Sequence, residues 1–123
     1  LLIAGLLPIL AKAPVVYFQN RDNGYDNKHP RAQQQRLIGR GARAVAGHYN
    51  AYEAFPLYAV ALLAAIATNT VTERIEFLAI AFIVLRVLYH ITYLANYDKL
   101  RSLLWFMATF CPVIILAQLA VSL

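Results

Sequence analysis

Four stretches of this chain are long enough and apolar enough to cross a lipid bilayer, and they limit the folds open to it. A membrane-spanning helix needs about 20 mostly apolar residues. Hydrophobic residues make up 61% of the 123 residues and charged residues only 14%, which is more apolar surface than one small soluble core can bury. We therefore expect an all-α membrane protein, a single four-transmembrane-helix bundle over residues 1–123. The predicted spans are Leu1–Phe18, roughly Arg43–Thr68, Ile75–Tyr97 and Leu103–Leu123.

Basic residues lie in two of the three connections between these spans. The third connection carries Lys99 and Arg101, whereas the second, residues 69–74, carries only Arg74. Cytosolic loops are rich in Lys and Arg, so we expect the first and third connections in the cytosol and both termini on the opposite side. This placement accounts for the formal net charge of +5 without a nucleic-acid partner, and it favours contact with anionic lipid. The first connection and its flank hold Arg21, Lys28, Arg31, Arg36, Arg40 and Arg43.

One polar stripe precedes and enters the second span. Arg43, Gly47 and Asn50 continue a spacing of three and four residues that begins at Arg36, and Glu53 lies at the edge of the stripe. This spacing places side chains on one face of a helix. We expect one helix from near residue 33 to near residue 68, about 50 Å long at 1.5 Å per residue. Because that length exceeds the hydrocarbon thickness of about 30 Å, its first turns should project into the cytosol.

A second polar stripe runs along the third span. Arg86, Tyr89, His90 and Tyr93 share one face, and the rest of that span is almost entirely apolar. Measured from the cytosolic edge, Glu53 and Arg86 both lie roughly 18–20 Å inward by helical rise. The matching depth predicts an ion pair between them, which would relieve two buried charges.

Charged groups at this depth indicate either a binding cavity or helix bridging. Insertion of a charge at the centre of a membrane helix costs roughly 2.5–3.5 kcal/mol, so such residues usually face a protein interior or a polar cavity. Polar bridges between membrane helices contribute about 0.6 kcal/mol on average, and bridging alone stays open as an alternative. Arginine and asparagine favour a small anionic ligand with carboxylates. No second ligand lies at metal-binding spacing from His90, and we expect no metal site.

Four residues outside the two stripes have simpler interpretations. His48, Tyr49 and Tyr52 fall off the stripe of the second span, and we expect them to anchor the protein at the membrane interface or to contact another subunit. Cys111 is the single cysteine, and in an apolar span it is expected to be a small packing residue.

The residues of the two stripes also carry a resemblance. The segment Asn50-Ala51-Tyr52-Glu53-Ala54-Phe55-Pro56, preceded by Arg43, resembles the second-helix signature of the MAPEG family, the membrane-associated proteins in eicosanoid and glutathione metabolism. Arg86-Val87-Leu88-Tyr89 with Tyr93, then Arg101 with Trp105, is similar to the pattern of its third and fourth helices. The similarity extends over nearly the whole chain.

This resemblance implies a homotrimer that binds glutathione as co-substrate between neighbouring subunits, near the cytosolic face. It implies glutathione contacts for Asn50, Glu53, Tyr89 and Tyr93, with Arg86 supporting the pocket and Arg101 stabilising the thiolate. Eicosanoid-forming members have an arginine four residues before the asparagine, where this chain has Ala46. Arg43 lies about one turn earlier, and we expect it to take the place of that arginine as a further contact. The expected activity is therefore transfer of glutathione to lipophilic electrophiles, or reduction of hydroperoxides.

A different class of function stays open at the level of the sequence. The family contains a non-enzymatic member that binds lipid and presents it to a partner, and fold alone does not settle activity. The alternative is thus a non-catalytic lipid-binding or accessory subunit of a larger membrane complex. A small transporter is a weaker third possibility, because the chain lacks repeated broken helices around a midplane site.

Overall fold

The computed structural model describes residues 1–122, and within them the chain folds into six α-helices. Four helical stretches, residues 2–21, 40–67, 73–94 and 98–122, are long and apolar enough to cross a membrane. The predicted all-α class and the number of spans are therefore confirmed, with Leu123 lying outside the described residues. The fourth spanning helix begins earlier than predicted, at Asp98, so Lys99 and Arg101 lie in this helix and not in the connection before it. The helices are α1 Leu2–Leu10, α2 Lys12–Arg21, α3 Pro30–Arg36, α4 Arg40–Ala67, α5 Glu73–Leu94 and α6 Asp98–Ser122.

The first span consists of two helices that meet at Ala11. Pro14 has no N–H to donate to the carbonyl of Leu10, four residues earlier, and its ring clashes with that carbonyl; α1 ends at Leu10. Beside this break, His48 of α4 places Nδ1 3.0 Å from the carbonyl oxygen of Pro8. The expectation that His48 anchors the protein at the membrane interface or contacts another subunit is wrong, because its side chain is buried against the first span.

The expected helix from near residue 33 to residue 68 is also wrong, because the chain turns between α3 and α4. Leu37 is extended, with ψ 142°, and Gly39 has φ 57°, a conformation that favours glycine. Gly41 then passes close to the first span: a Cβ there would lie 3.3 Å from the Cβ of Phe18. The two glycines that flank Arg40 make both the turn and the close approach possible.

Each of the long helices α4 and α5 is followed, two residues after its last residue, by an asparagine in the left-handed conformation. Asn69 has φ 53° and Asn96 has φ 66°. In both cases the following residue donates its N–H to a carbonyl five residues earlier, at 3.0 Å after α4 and 2.9 Å after α5, as in a Schellman motif. The side chain of Thr72 accepts from the N–H of Ile75 and caps the start of α5. These short turns make α4, α5 and α6 antiparallel neighbours.

The core of the bundle lies between α4, α5 and α6. Tyr58 of α4 stacks on Phe82 of α5, with ring centroids 4.3 Å apart, and its hydroxyl donates to the carbonyl of Ala79 at 3.4 Å. Cys111 is buried in the same cluster, and its Sγ contacts the carbonyl oxygen of Met107 one turn back at 3.4 Å. It therefore occupies the packing position expected for it.

Gly47 lets His90 approach α4, and this contact can be tested. A Cβ at Gly47 would lie 3.0 Å from Cε1 and 3.1 Å from Nδ1 of His90, whereas a Cβ at Gly5 would lie 3.6 Å from the Phe55 ring. We expect Gly47→Ala to destabilise the bundle by about 1–3 kcal/mol through overpacking. Gly5→Ala is the control, and it should be neutral or stabilising by up to about 1 kcal/mol through helix propensity.

The measurement is reversible unfolding by dodecyl sulfate in mixed micelles. His90→Ala should remove most of the penalty of Gly47→Ala, because it removes the ring that the new methyl group meets. Equal effects of the two glycine substitutions would contradict the close contact.

Candidate functional site

The guanidinium of Arg86 is buried within the bundle, with only 6% of the residue exposed. Its Nη2 donates to Oδ1 of Asn50 at 2.6 Å, a short charge-assisted hydrogen bond. The predicted ion pair with Glu53 is not formed: among residues 1–122 no carboxylate lies within 4.0 Å of the Arg86 guanidinium. Asn50, one turn before Glu53, is the partner instead. A guanidinium has five N–H donors, and this hydrogen bond uses one of them.

Arg86, Asn50 and Glu53 line one cavity of about 180 Å³ between α4, α5 and α6. We call it the polar pocket. The structure thus brings together three of the residues singled out from the sequence, even though two of them do not pair. Glu53 is exposed at the surface of the single chain, whereas Asn50 is half-buried. The other lining residues are Ala54, Leu57, Phe82, Trp105, Thr109 and Pro112.

Two arginines flank a pair of tyrosines next to this pocket, in the order Arg86, Tyr89, Tyr93 and Arg101. Arg86 lies over the ring of Tyr89 at 4.3 Å, and Arg101 lies over the ring of Tyr93 at 4.5 Å. The two rings meet edge to face, with centroids 5.7 Å apart. Such cation–π contacts hold a guanidinium in place while leaving its N–H groups free. The predicted residues of α5 and Arg101 therefore form one continuous array.

Trp105 connects this array to the polar pocket. It lines the polar pocket and also a crevice of about 120 Å³ that it shares with Tyr89, Arg101, Ser102 and Phe106. A ligand in the polar pocket can therefore extend along Trp105 towards Arg101.

Arg43 is not part of this arrangement. Its Nη2 is 3.5 Å from the carbonyl oxygen of Leu94, at the end of α5 where the basic loops meet. It lines a separate open crevice of about 420 Å³ with Arg40 and four apolar residues, one from α2 and three from the last turn of α5 and the residue after it. The structure therefore does not bring Arg43 together with Asn50 and Glu53 within one chain, although all three lie on the same stripe of the sequence.

Reasoning from the sequence missed most of the α6 contribution to the site. Ser102 and Thr109 lie three residues before and four residues after Trp105, which places them on its helical face, but only Trp105 belongs to the predicted pattern. Their signal was the presence of small polar residues in an otherwise apolar span.

An apolar cavity of about 140 Å³ lies on the other side of Arg86, between α1, α4 and α5. Arg86, Ala54 and Phe82 line both this cavity and the polar pocket, so these three residues form the wall between them. His90 also lines the apolar cavity, and its Nε2 is shielded from solvent without a hydrogen-bond partner. Within residues 1–122 no group of three or more His, Cys, Asp or Glu side chains could hold a metal ion.

Comparison with known proteins gives one family. The model of the MAPEG family matches residues 1–121. No curated protein and no solved structure gives a match. Because the match extends over nearly all of the 123 residues, this protein is a member of the MAPEG family.

Proposed function

We propose that this protein is a membrane-bound glutathione transferase or peroxidase that acts on lipophilic electrophiles or hydroperoxides. Glutathione binds in the polar pocket through Asn50, Glu53 and Arg86 and extends along Tyr89 and Tyr93. Arg101 stabilises the thiolate that attacks the second substrate. Arg43, in its separate crevice, is left out of this pocket.

Family membership supports the general class of chemistry, a membrane-bound role in glutathione-related transfer or peroxidase reactions or in eicosanoid metabolism. The observation that carries the finer proposal is the buried guanidinium of Arg86 beside Glu53 in one pocket. Glutathione has two carboxylates and one ammonium group. A guanidinium binds a carboxylate bidentately, and a carboxylate such as Glu53 suits the ammonium. The pocket therefore offers both signs of charge that the tripeptide requires.

Glu53 also supports a homotrimer with glutathione between subunits. It lies thirteen residues into α4, about 20 Å along the helix axis, and it is exposed at the surface of the single chain. A carboxylate facing lipid at that depth is unfavourable. A neighbouring copy that covers Glu53 would remove this exposure and close the polar pocket. In this arrangement the basic end of the bundle faces the cytosol.

Titration calorimetry of the detergent-solubilised protein with glutathione tests the proposal. We expect binding at millimolar concentration or tighter. Glu53→Gln should weaken it about tenfold, the equivalent of about 1.4 kcal/mol, because the ammonium group loses its counter-charge. Glu73→Gln is the matched control, since Glu73 lies in the first turn of α5 at the opposite end of the bundle, and it should leave binding unchanged.

Absence of glutathione binding at millimolar concentration would overturn the proposal. The apolar cavity beside α1 would then favour the non-catalytic lipid-binding function, because its lining is almost entirely hydrophobic. In that case a fatty acid should bind with the same affinity in the wild type and in Glu53→Gln.

A further inference from the structure

We propose that the crevice around Arg40 and Arg43 is a binding site for an anionic phospholipid, with the phosphate held by the two arginines. The crevice, of about 420 Å³, lies where α2, α4 and α5 meet at the basic end of the bundle. The crevice is separate from the polar pocket, because neither arginine lines that pocket.

The start of α4 has an excess of positive charge that the protein does not neutralise. Arg40 is the first residue of α4, its N-cap Gly39 has no side chain that can accept a hydrogen bond, and the first turn contains no acidic residue. The N-terminus of a helix is itself positive, so cationic side chains there are unfavourable and anions are favourable. Within the described part of the chain, no carboxylate lies within 4.0 Å of either arginine. An anion from outside the chain would complete the charge balance.

Arg43 also uses its hydrogen-bonding capacity poorly. Its one hydrogen bond, from Nη2 to the carbonyl of Leu94, is long at 3.5 Å. Its Nε is shielded from solvent and has no hydrogen-bond partner. A buried donor without a partner costs about 1–3 kcal/mol. A phosphate in the crevice would accept charge-assisted hydrogen bonds from the remaining Nη donors of this guanidinium.

The remaining walls of the crevice identify the anion as a lipid. They are formed by Phe18, Ile91, Leu94 and Ala95, and Ile91 is 56% exposed. An inorganic phosphate would leave these apolar walls unused, whereas an acyl chain would cover them. The position of the crevice along α4 agrees with a lipid ligand. α4 has 28 residues and is therefore about 42 Å long, which exceeds the hydrocarbon thickness of about 30 Å. Its first turn therefore lies at headgroup level, where the phosphates of the leaflet are found.

Native mass spectrometry of the detergent-purified protein, titrated with phosphatidylglycerol or phosphatidylcholine, tests the site. We expect phosphatidylglycerol to bind more tightly. The double variant Arg40→Gln/Arg43→Gln should weaken its binding about 10–30-fold, from about 1 kcal/mol for each basic residue near the membrane surface. The matched control is Lys28→Gln/Arg31→Gln, which removes the same charge from exposed positions of the same basic region and should change binding less than threefold.

Each other outcome overturns the inference. Equal losses in the two double variants would show a diffuse basic surface instead of a site. Competition by inorganic phosphate as strong as that by phosphatidylglycerol would show an anion site that does not select lipid. If the double variant does not fold, the single variant Arg40→Gln is tested in its place, because Arg40 is exposed and its replacement should not disturb folding. This variant should weaken binding of phosphatidylglycerol by a factor of about 5. An unchanged affinity in Arg40→Gln would equally overturn the inference.

Discussion

Replacing Asn50 with leucine is expected to destabilise the bundle by about 1.5–3 kcal/mol, the range for hydrogen bonds to charged groups. The buried guanidinium of Arg86 donates to Oδ1 of Asn50 at 2.6 Å, and leucine would leave that N–H facing apolar side chains. Reversible unfolding by dodecyl sulfate in mixed micelles measures the loss.

Two further variants separate this loss from a general effect of altering the pocket. Thr109→Val changes another lining residue of the polar pocket and should shift stability by less than about 0.5 kcal/mol, as substitutions away from specific interactions do. Asn50→Leu/Arg86→Met removes both partners, and it should regain most of the stability because replacing a whole buried polar pair by apolar residues is often neutral. If the double variant is as unstable as Asn50→Leu, Arg86 is not held through Asn50.

The depth of Glu53 and Arg86 along their helices could be predicted from the sequence, but the hydrogen-bond partner of Arg86 could not. Helical rise places Glu53 and Arg86 at matching depth, and they do line the same pocket. Asn50 lies only three residues before Glu53, about 4.5 Å along the axis, which is within the reach of an arginine side chain. The choice between the two acceptors depends on how α4 and α5 are rotated against each other, and the spacing of residues within one helix does not contain that information.

A shared stripe likewise does not guarantee a shared pocket. Arg43 and Asn50 lie on one face of α4, yet they are seven residues apart, about 10 Å by helical rise. Over that distance the neighbours of the face change, so Arg43 meets the ends of α2 and α5 while Asn50 meets Arg86. The burial of His48 has a related cause. The first span covers a second side of α4, and its break at Ala11 brings the carbonyl of Pro8 to His48.

Replacing Arg101 with glutamine is expected to lower the turnover of glutathione conjugation about 10²–10³-fold, the usual effect of removing one group that stabilises developing negative charge. Arg101 lies over Tyr93 at 4.5 Å and lines the crevice that adjoins the polar pocket at Trp105. A free thiol has a pKa of about 8.5 and reacts as its thiolate, so a guanidinium near the sulfur raises the reactive fraction at neutral pH. The rate should be measured with saturating glutathione and an aryl halide electrophile.

Lys99→Gln is the matched control, because it removes the same charge two residues away at an exposed position of α6; it should retain full turnover. For Arg101→Gln, KM for glutathione should change little, since in the proposed mechanism the guanidinium acts on the thiolate and not on the carboxylates. The rate of the variant should also rise with pH up to about 8.5, where the free thiol ionises, while the wild-type rate reaches its plateau at lower pH. Turnover of Arg101→Gln within threefold of the wild type, with the same pH profile, would remove Arg101 from the mechanism and leave glutathione binding in the polar pocket to be judged by calorimetry alone.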